Sequence, residues 1–285
     1  MKKIGLVLEG GAYRGIFTAG VLDYLLEQKI FFSYVVGVSA GAGNAISFVS
    51  KQNGKVKRVI TSKDGGSYFG IKQMIRSKKL LDMDQIIDQY FYQQISFNFD
   101  TFFTSSTECE LVVTDCESGQ PEYCNAKDSE QQLLMLTKAT CSVPLLCKPV
   151  AIGTQHYLDG SLSDAVPVEY ALQNKCDKVI VVLTRKWEEA PPTDYAKLRP
   201  IFNISYHAQY PNLVDVIVKR KETYEKQMKD LTDYVQSGDA LVIRPENRSI
   251  SHFEKDTKKV NAYYDHGKEV MEKRFGELCA FMKAS

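Results

Sequence analysis

Gly37-Val38-Ser39-Ala40-Gly41 sets a serine between two glycines, the G-x-S-x-G spacing of a nucleophile elbow. In such an elbow a strand turns sharply into a helix, leaving no room for Cβ atoms at the flanking positions. The serine Oγ then points into a cleft, and the N-terminus of the helix beyond it favours developing negative charge. Alone the pentapeptide is weak, since a chain this long contains one by chance on the order of one time in ten. Context strengthens it: the apolar run Tyr34–Val38 precedes it and helix-capable residues 42–49 follow.

Two other clusters have types suited to chemistry. Glu9-Gly10-Gly11-Ala12-Tyr13-Arg14-Gly15 follows an apolar run and opens a helix, so its backbone N–H groups can converge on an anion. A P-loop is excluded, because Ile16-Phe17 replaces the Lys-Ser/Thr pair that contacts phosphate and magnesium. A dinucleotide fingerprint wants glycine where Ala12 stands, and no acidic ribose partner is evident. Donors facing an exposed serine suit an oxyanion hole; the alternative is a tight strand-to-helix turn and nothing more. The third cluster is Tyr157-Leu158-Asp159-Gly160-Ser161, in which Asp159 ends an apolar strand. Asp-Gly is also an ordinary turn signal, so both readings stand.

The elements that must hold these clusters alternate. Ile4–Leu8, Tyr34–Val38, residues 110–114 and residues 178–183 are predicted to be buried strands; residues 16–28, 40–51, 130–139 and 168–172 are predicted to be helices. Val150–Ile152 and residues 156–158 form a predicted hairpin. Alternation of this kind argues for a three-layer α/β/α fold around a mainly parallel sheet. After Trp187 the texture changes: Pro191, Pro192 and Pro200 punctuate a linker, and two charged amphipathic helices, 212–236 and 258–283, flank the short strand Ala240–Ile243. The chain thus divides into a core, 1–188, and a mostly helical C-terminal extension, 189–285, which either packs on the core or mediates self-association.

Composition bounds the function. The chain has 285 residues, 44% hydrophobic and 25% charged, enough to bury a core without disulfides or metals. A formal net charge of +1 gives no global attraction for nucleic acid. The seven cysteines are scattered without a CxxC pair, which suits buried thiols in a reducing compartment. Met1-Lys2-Lys3 begins like a signal peptide, but the apolar run is five residues long, short of the ~7–15 of an h-region. The expectation is a cytoplasmic protein, touching membranes peripherally at the inner surface if at all.

The three clusters, in this order, resemble the patatin-like phospholipase family. That family runs strand, glycine-rich loop, helix, strand, G-x-S-x-G elbow, and later an Asp-Gly-Gly/Ala motif; residues 139–144, Ala-Thr-Cys-Ser-Val-Pro, also resemble the segment leading to its aspartate. The resemblance covers about residues 4–184. It implies a patatin-like fold and a Ser-Asp dyad: Asp159 takes the proton from Ser39, an acyl-enzyme forms, and water releases the fatty acid. It further implies an oxyanion hole at Gly10, Gly11 and Ala12, with Arg14 bracing the loop or attracting a lipid phosphate, and an elbow shaped by Gly37 and Gly41. Ala12 stands where the family usually has glycine, and Ser161 replaces its third Asp-Gly-Gly/Ala residue.

The implied substrate is a phospholipid, lysophospholipid or other acyl ester, with no cofactor, metal, nucleotide or nucleic acid. Two alternatives remain: a short-chain esterase or thioesterase using the same dyad, and a weakly catalytic regulatory or scaffold protein. A Ser-His-Asp triad would need His156, His207, His252 or His266, none of them in a recognisable motif. The aromatic-rich stretch 68–103 is either a lid or interfacial surface, or core. Lys219-Arg220-Lys221-Glu222 reads as a solvated helix face.

Overall fold

The computed structural model describes residues 3–62, 81–93, 95–187 and 194–284. Eight strands form one sheet: β1 (Ile4–Leu8), β2 (Tyr34–Val38), β3 (Glu108–Asp115), β4 (Pro121–Asn125), β5 (Val150–Ile152), β6 (Gln155–Asp159), β7 (Lys178–Val182) and β8 (Ala240–Ile243). Their order is β5-β6-β3-β2-β1-β7-β8, with β4 paired to β3. The β3-β2-β1-β7-β8 run is parallel throughout, and β4, β5 and β6 add antiparallel pairs.

Side chains alternate across the sheet, and both faces are buried, as a parallel sheet between helical layers requires. Leu6, Leu8, Val35, Leu111, Ile180 and Val182 belong to one core, and Val7, Val36, Val38, Val112, Val179 and Val181 to the other. The helices are α1 (Gly15–Glu27), α2 (Ala40–Val49), α3 (Lys55–Thr61), α4 (Met83–Phe91), α5 (Phe99–Thr104), α6 (Glu130–Thr140), α7 (Val168–Asn174), α8 (Arg199–Phe202), α9 (Pro211–Ser237) and α10 (Thr257–Lys283). Neither long C-terminal helix is apolar enough to cross a membrane, nor is any other helix among the described residues. The three-layer α/β/α architecture, the hairpin and the two long helices follow the sequence-based expectation; β4, α3, α4, α5 and α8 were not anticipated.

Register brings two strand ends together. β2 runs parallel to β3 and stops at Val38, opposite Val112. β6 runs antiparallel along the same edge of β3 and stops at Asp159, opposite Val113. The C-terminal ends of β2 and β6 therefore meet head to head, and whatever follows them shares one place.

The C-terminal helices are built into this frame. β8 extends the sheet beside β7, and α10 lies against α1. The helix crossing works only because two glycines face it: a Cβ on Gly20 would overlap the carbonyl of Tyr264, and one on Gly267 that of Phe17. Tyr264 Oη donates to Asp23 Oδ2 at 2.7 Å, and Lys268 pairs with Glu27 at 2.7 Å, so the contact is keyed by polar groups at its margin. Most of the described aromatic stretch is core: Phe91, Phe97 and Phe102 are buried, with Phe97 ring centroids 5.0 Å from Phe91 and 4.9 Å from Phe99. Tyr68, Phe69 and Lys78-Lys79-Leu80 of that stretch lie outside the described residues.

Gly267→Ala is expected to lower stability by about 1–3 kcal/mol through overpacking. This would outweigh the ~1 kcal/mol that alanine gains in helix propensity. Gly276→Ala, on the same helix with open space at its Cβ position, should instead stabilise. Urea unfolding of both variants checks the pair; equal shifts would show that the crossing is not closely packed.

Candidate active site

Ser39 caps α2 with φ 52° and ψ −122°, a backbone conformation that side chains rarely adopt and that costs of order 1–3 kcal/mol. Close packing on three sides enforces it. A Cβ on Gly37 would lie 2.5 Å from the carbonyl oxygen of Gly41; one on Gly10 would lie 2.9 Å from Ser39 Cβ; one on Gly41 would overlap the carbonyl of Leu8. Thr140, at the end of α6, fixes the turn from the fourth side: its Oγ1 accepts from Ser39 N at 2.9 Å and donates to Val112 O at 2.6 Å.

The head-to-head strand ends bring the serine and the aspartate into contact. Ser39 Oγ donates to Asp159 Oδ2 at 2.9 Å. Asp159 Oδ1 accepts from Ser161 N at 2.9 Å, so both carboxylate oxygens are engaged, and the backbone N of Asp159 donates to Ser142 O. Burial pushes the Asp159 carboxyl above its ordinary value; the bonds from Ser161 and Ser39 and the charge of Arg220 pull the other way and do not cancel it.

The glycine-rich loop lies beside this pair. Ala12 has φ 50°, so the loop does place a residue with a Cβ in the left-handed region, at roughly 1–2 kcal/mol. Its amide is kept. No described residue accepts a hydrogen bond from the N–H of Gly10, Gly11 or Ala12. Arg14 turns away along the loop, its Nε donating to Ile250 O at 2.9 Å, and Tyr13 N donates to His252 O. The loop is thus tied to the segment before α10.

Two cavities meet at Ser39. One, of about 230 Å³, runs between α3 and α4 and is lined by apolar side chains including Val59, Ile60, Met83, Ile87 and Tyr90. The other, of about 350 Å³, is lined by Asp159, Glu9, Arg185, Arg220 and His252 as well as the glycine loop. Ala12, Ser39, Val143 and Phe253 border both.

Several of these residues were missed by sequence reasoning. Thr140 lies inside the 139–144 segment, but no spacing rule identifies its hydroxyl as the support of Ser39 N. Arg220 corrects the solvated-face reading of 219–222: Lys219 is exposed, yet Arg220 reaches inward, its Nε donating to Ser161 O at 2.9 Å and Nη2 to Ser161 Oγ at 3.1 Å. Ser161, the residue at the third Asp-Gly-Gly/Ala position, links Arg220 to Asp159. His252 faces the polar cavity, its Nε2 3.2 Å from Arg185 Nη2. Burial and the charges of Arg14, Arg185 and Arg220 push it down to about 4, so the ring is neutral at pH 7 and Nε2 accepts. The other histidines lie elsewhere: His156 sits 6.0 Å from the Tyr210 ring, His266 Nε2 accepts from Glu246 N, and His207 is exposed.

The raised Asp159 carboxyl has a stability consequence. Folding penalises its ion, so the cost is full above the raised folded-state pKa and absent below the ordinary value of about 3.9. Asp159→Asn should therefore stabilise by about 0.5–2 kcal/mol at pH 7, and the gain should shrink as pH falls through the raised folded-state pKa and be gone below about 3.9. Thermal unfolding at pH 7 and pH 3 checks this; an equal effect at both would rule out a buried ion as its cause.

Comparison with known proteins places the chain in a family. The model of the family "Patatin-like phospholipase" matches residues 6–172, and that of a "Domain of unknown function (DUF6363)" matches residues 210–283. The uncharacterized protein YjjU of Escherichia coli (strain K12) is 31% identical over 190 residues, covering 64% of this chain. The matched part spans 52% of that relative's own length. The crystal structure of VipD from Legionella pneumophila superposes with a TM-score of 0.54 at 13% identity, covering 96% of this chain and 66% of the other, a likeness of fold. With more than half of its length matched by the family model, the chain belongs to the patatin-like phospholipase family.

Proposed function

We propose that the protein is a lipid acyl hydrolase that cleaves carboxylic esters through a Ser39-Asp159 dyad and an acyl-enzyme. The observation that carries this reading is the 2.9 Å bond from Ser39 Oγ to Asp159, at the junction of an apolar and a polar cavity. As Ser39 Oγ bonds to the ester carbonyl carbon, Asp159 Oδ2 takes its proton and the carbonyl electrons move onto oxygen. The N–H groups of Gly10, Gly11 and Ala12, which donate to no described residue, receive that oxyanion. Collapse expels the alcohol, which recovers the proton from Asp159. Water then repeats the sequence, with Asp159 as base, and frees the fatty acid and Ser39.

The two cavities orient the substrate. The acyl chain occupies the apolar cavity between α3 and α4, and the alcohol side of the ester faces Arg185, Arg220 and His252. Access is from a lipid surface: Ile201 and Ile204, the latter 90% exposed, sit on the run from α8 that reaches Leu145 through Tyr206 Oη, beside the cavity-lining Pro144 and Leu146. This rim makes peripheral membrane contact.

Hydrolysis of p-nitrophenyl esters of increasing chain length tests the reading. Ser39→Ala and Asp159→Asn should each lower kcat/KM by about a thousandfold or more, with medium or long chains preferred over acetate. His252→Ala should cost about tenfold at most, where loss of a triad base would cost as much as loss of the serine. The acid limb of the pH profile should lie above the ordinary carboxylate value of about 3.9, since Asp159 must be ionised to act. Full turnover by Asp159→Asn would refute the dyad.

A further inference from the structure

The turn that carries Asp159 and the loop that begins at Gly10 follow different strands, β6 and β1, yet one helix reaches both. Arg220, Tyr224 and Gln227 of α9 are spaced i, i+4 and i+7, so they share one helical face. Arg220 Nε donates to Ser161 O at 2.9 Å and its Nη2 to Ser161 Oγ at 3.1 Å. Gln227 Nε2 donates to Asp164 Oδ1 at 2.6 Å. These two grip the residues that follow Asp159. Between them, Tyr224 Oη donates to Glu9 Oε1 at 2.8 Å, and Glu9 is the residue before Gly10. Thr184 N holds the other oxygen, Glu9 Oε2, at 2.6 Å. Glu9, Asp164 and Tyr224 are all buried, which keeps water from competing for these bonds.

Acyl transfer needs the base and the oxyanion donors fixed relative to Ser39, and a misplacement of about 1 Å costs on the order of a hundredfold in rate. One rigid helix bonded to both loops sets their separation, since four residues of helix span ~6 Å. We propose that α9 is an alignment clamp for the two halves of the catalytic centre, with Arg220 the positioning residue for Asp159 and Tyr224 the positioning residue for the oxyanion loop. The clamp rests on the reading of Ser39, Asp159 and the Gly10–Ala12 amides as the reacting groups. It gives the region after residue 210 a function in turnover, although the hydrolase family model matches only residues 6–172. Ser161 belongs to the device as well. Any residue there offers its carbonyl, but the second tooth of the guanidinium fork needs the hydroxyl.

Arg220 also brings charge. Near Asp159 stand Arg220 from α9, the thiols of Cys141 and Cys147 after α6, and the cavity residues Glu9, Arg185 and His252. Burial pushes both thiols up, Cys147 to about 11, while burial and the nearby arginines push His252 down to about 4. All three are therefore uncharged at pH 7. Glu9 and Arg185 face each other at 3.9 Å. Arg220 is the leading charge on Asp159 and favours the carboxylate, so its loss raises the pH at which the base ionises.

Turnover of a p-nitrophenyl ester and amide hydrogen exchange, both on the full chain, test the clamp. The proteins compared are wild type, Arg220→Gln, Arg220→Lys, Tyr224→Phe and, as a charge control on the same helix, Lys219→Gln. Arg220→Gln should lower kcat by about tenfold to a hundredfold with KM within about twofold, and move the acid limb to higher pH. Arg220→Lys keeps the charge without the fork, so it should leave the acid limb near wild type and recover part of kcat. Tyr224→Phe removes one oxygen atom and should lower kcat about tenfold without moving the limb. Exchange should quicken over residues 159–164 in Arg220→Gln and over residues 9–14 in Tyr224→Phe, and stay unchanged over β2 and β7. Lys219→Gln should match wild type throughout. Wild-type kcat and acid limb in both Arg220→Gln and Tyr224→Phe would overturn the proposal. So would exchange that rises equally over β2 and β7, the mark of general destabilisation. Absence of wild-type turnover with the local quickening intact would instead count against the hydrolase reading alone.

Discussion

Around Ser39, three stretches of chain approach one another too closely for any side chain to pass between them. The carbonyls of Leu8 and Gly41 and the Cβ of Ser39 itself occupy the space that Cβ atoms on Gly41, Gly37 and Gly10 would need. That contact forces the serine into a rare backbone conformation and presses the glycine loop against it. It also fixes where the second half of the pair must come from, since β6 can end only where β2 has stopped along β3. Thr140 ties the arrangement to β3 with two hydrogen bonds, using the one carbonyl, Val112, that lies at the seam between the two strand ends.

The division of the space on either side of Ser39 follows from the layers of the fold. α3 and α4 belong to the face that holds the larger apolar core, and between them they leave a greasy channel. α9 belongs to the other face, and its inward turn places charge beside Asp159 through Ser161. The region after residue 210 is therefore part of the site as well as part of the frame. α10 is locked on α1 by the reciprocal glycines, and the segment before it grips the glycine loop through Arg14 and Tyr13.

Much of this was legible in the sequence. Strand-helix alternation and the continuous apolar runs of β1, β2, β3 and β7 pointed to the three-layer fold, and the elbow, loop and Asp-Gly turn lie together where the order of those motifs implied. What was hidden is long-range. Nothing local marks Arg220, in the basic run Lys219-Arg220-Lys221, as the residue that reaches Ser161 from 59 positions away. His252 carries no motif because its environment is built by Arg14 and Arg185, distant in the chain. β4 escaped notice because Pro121–Asn125 is only half-buried and lacks the apolar run that marks the central strands. Ala12 was readable as a departure from pattern, but its positive φ depends on the packing around Ser39.

The central claim is that Ser39 is an activated nucleophile. Intact-mass analysis after exposure to a long-chain fluorophosphonate tests it most directly. The account predicts one phosphonyl group per chain, located on the peptide containing Ser39, absent from Ser39→Ala and strongly slowed in Asp159→Asn. An unlabelled wild-type protein, or a label on any other residue that survives Ser39→Ala, would contradict it.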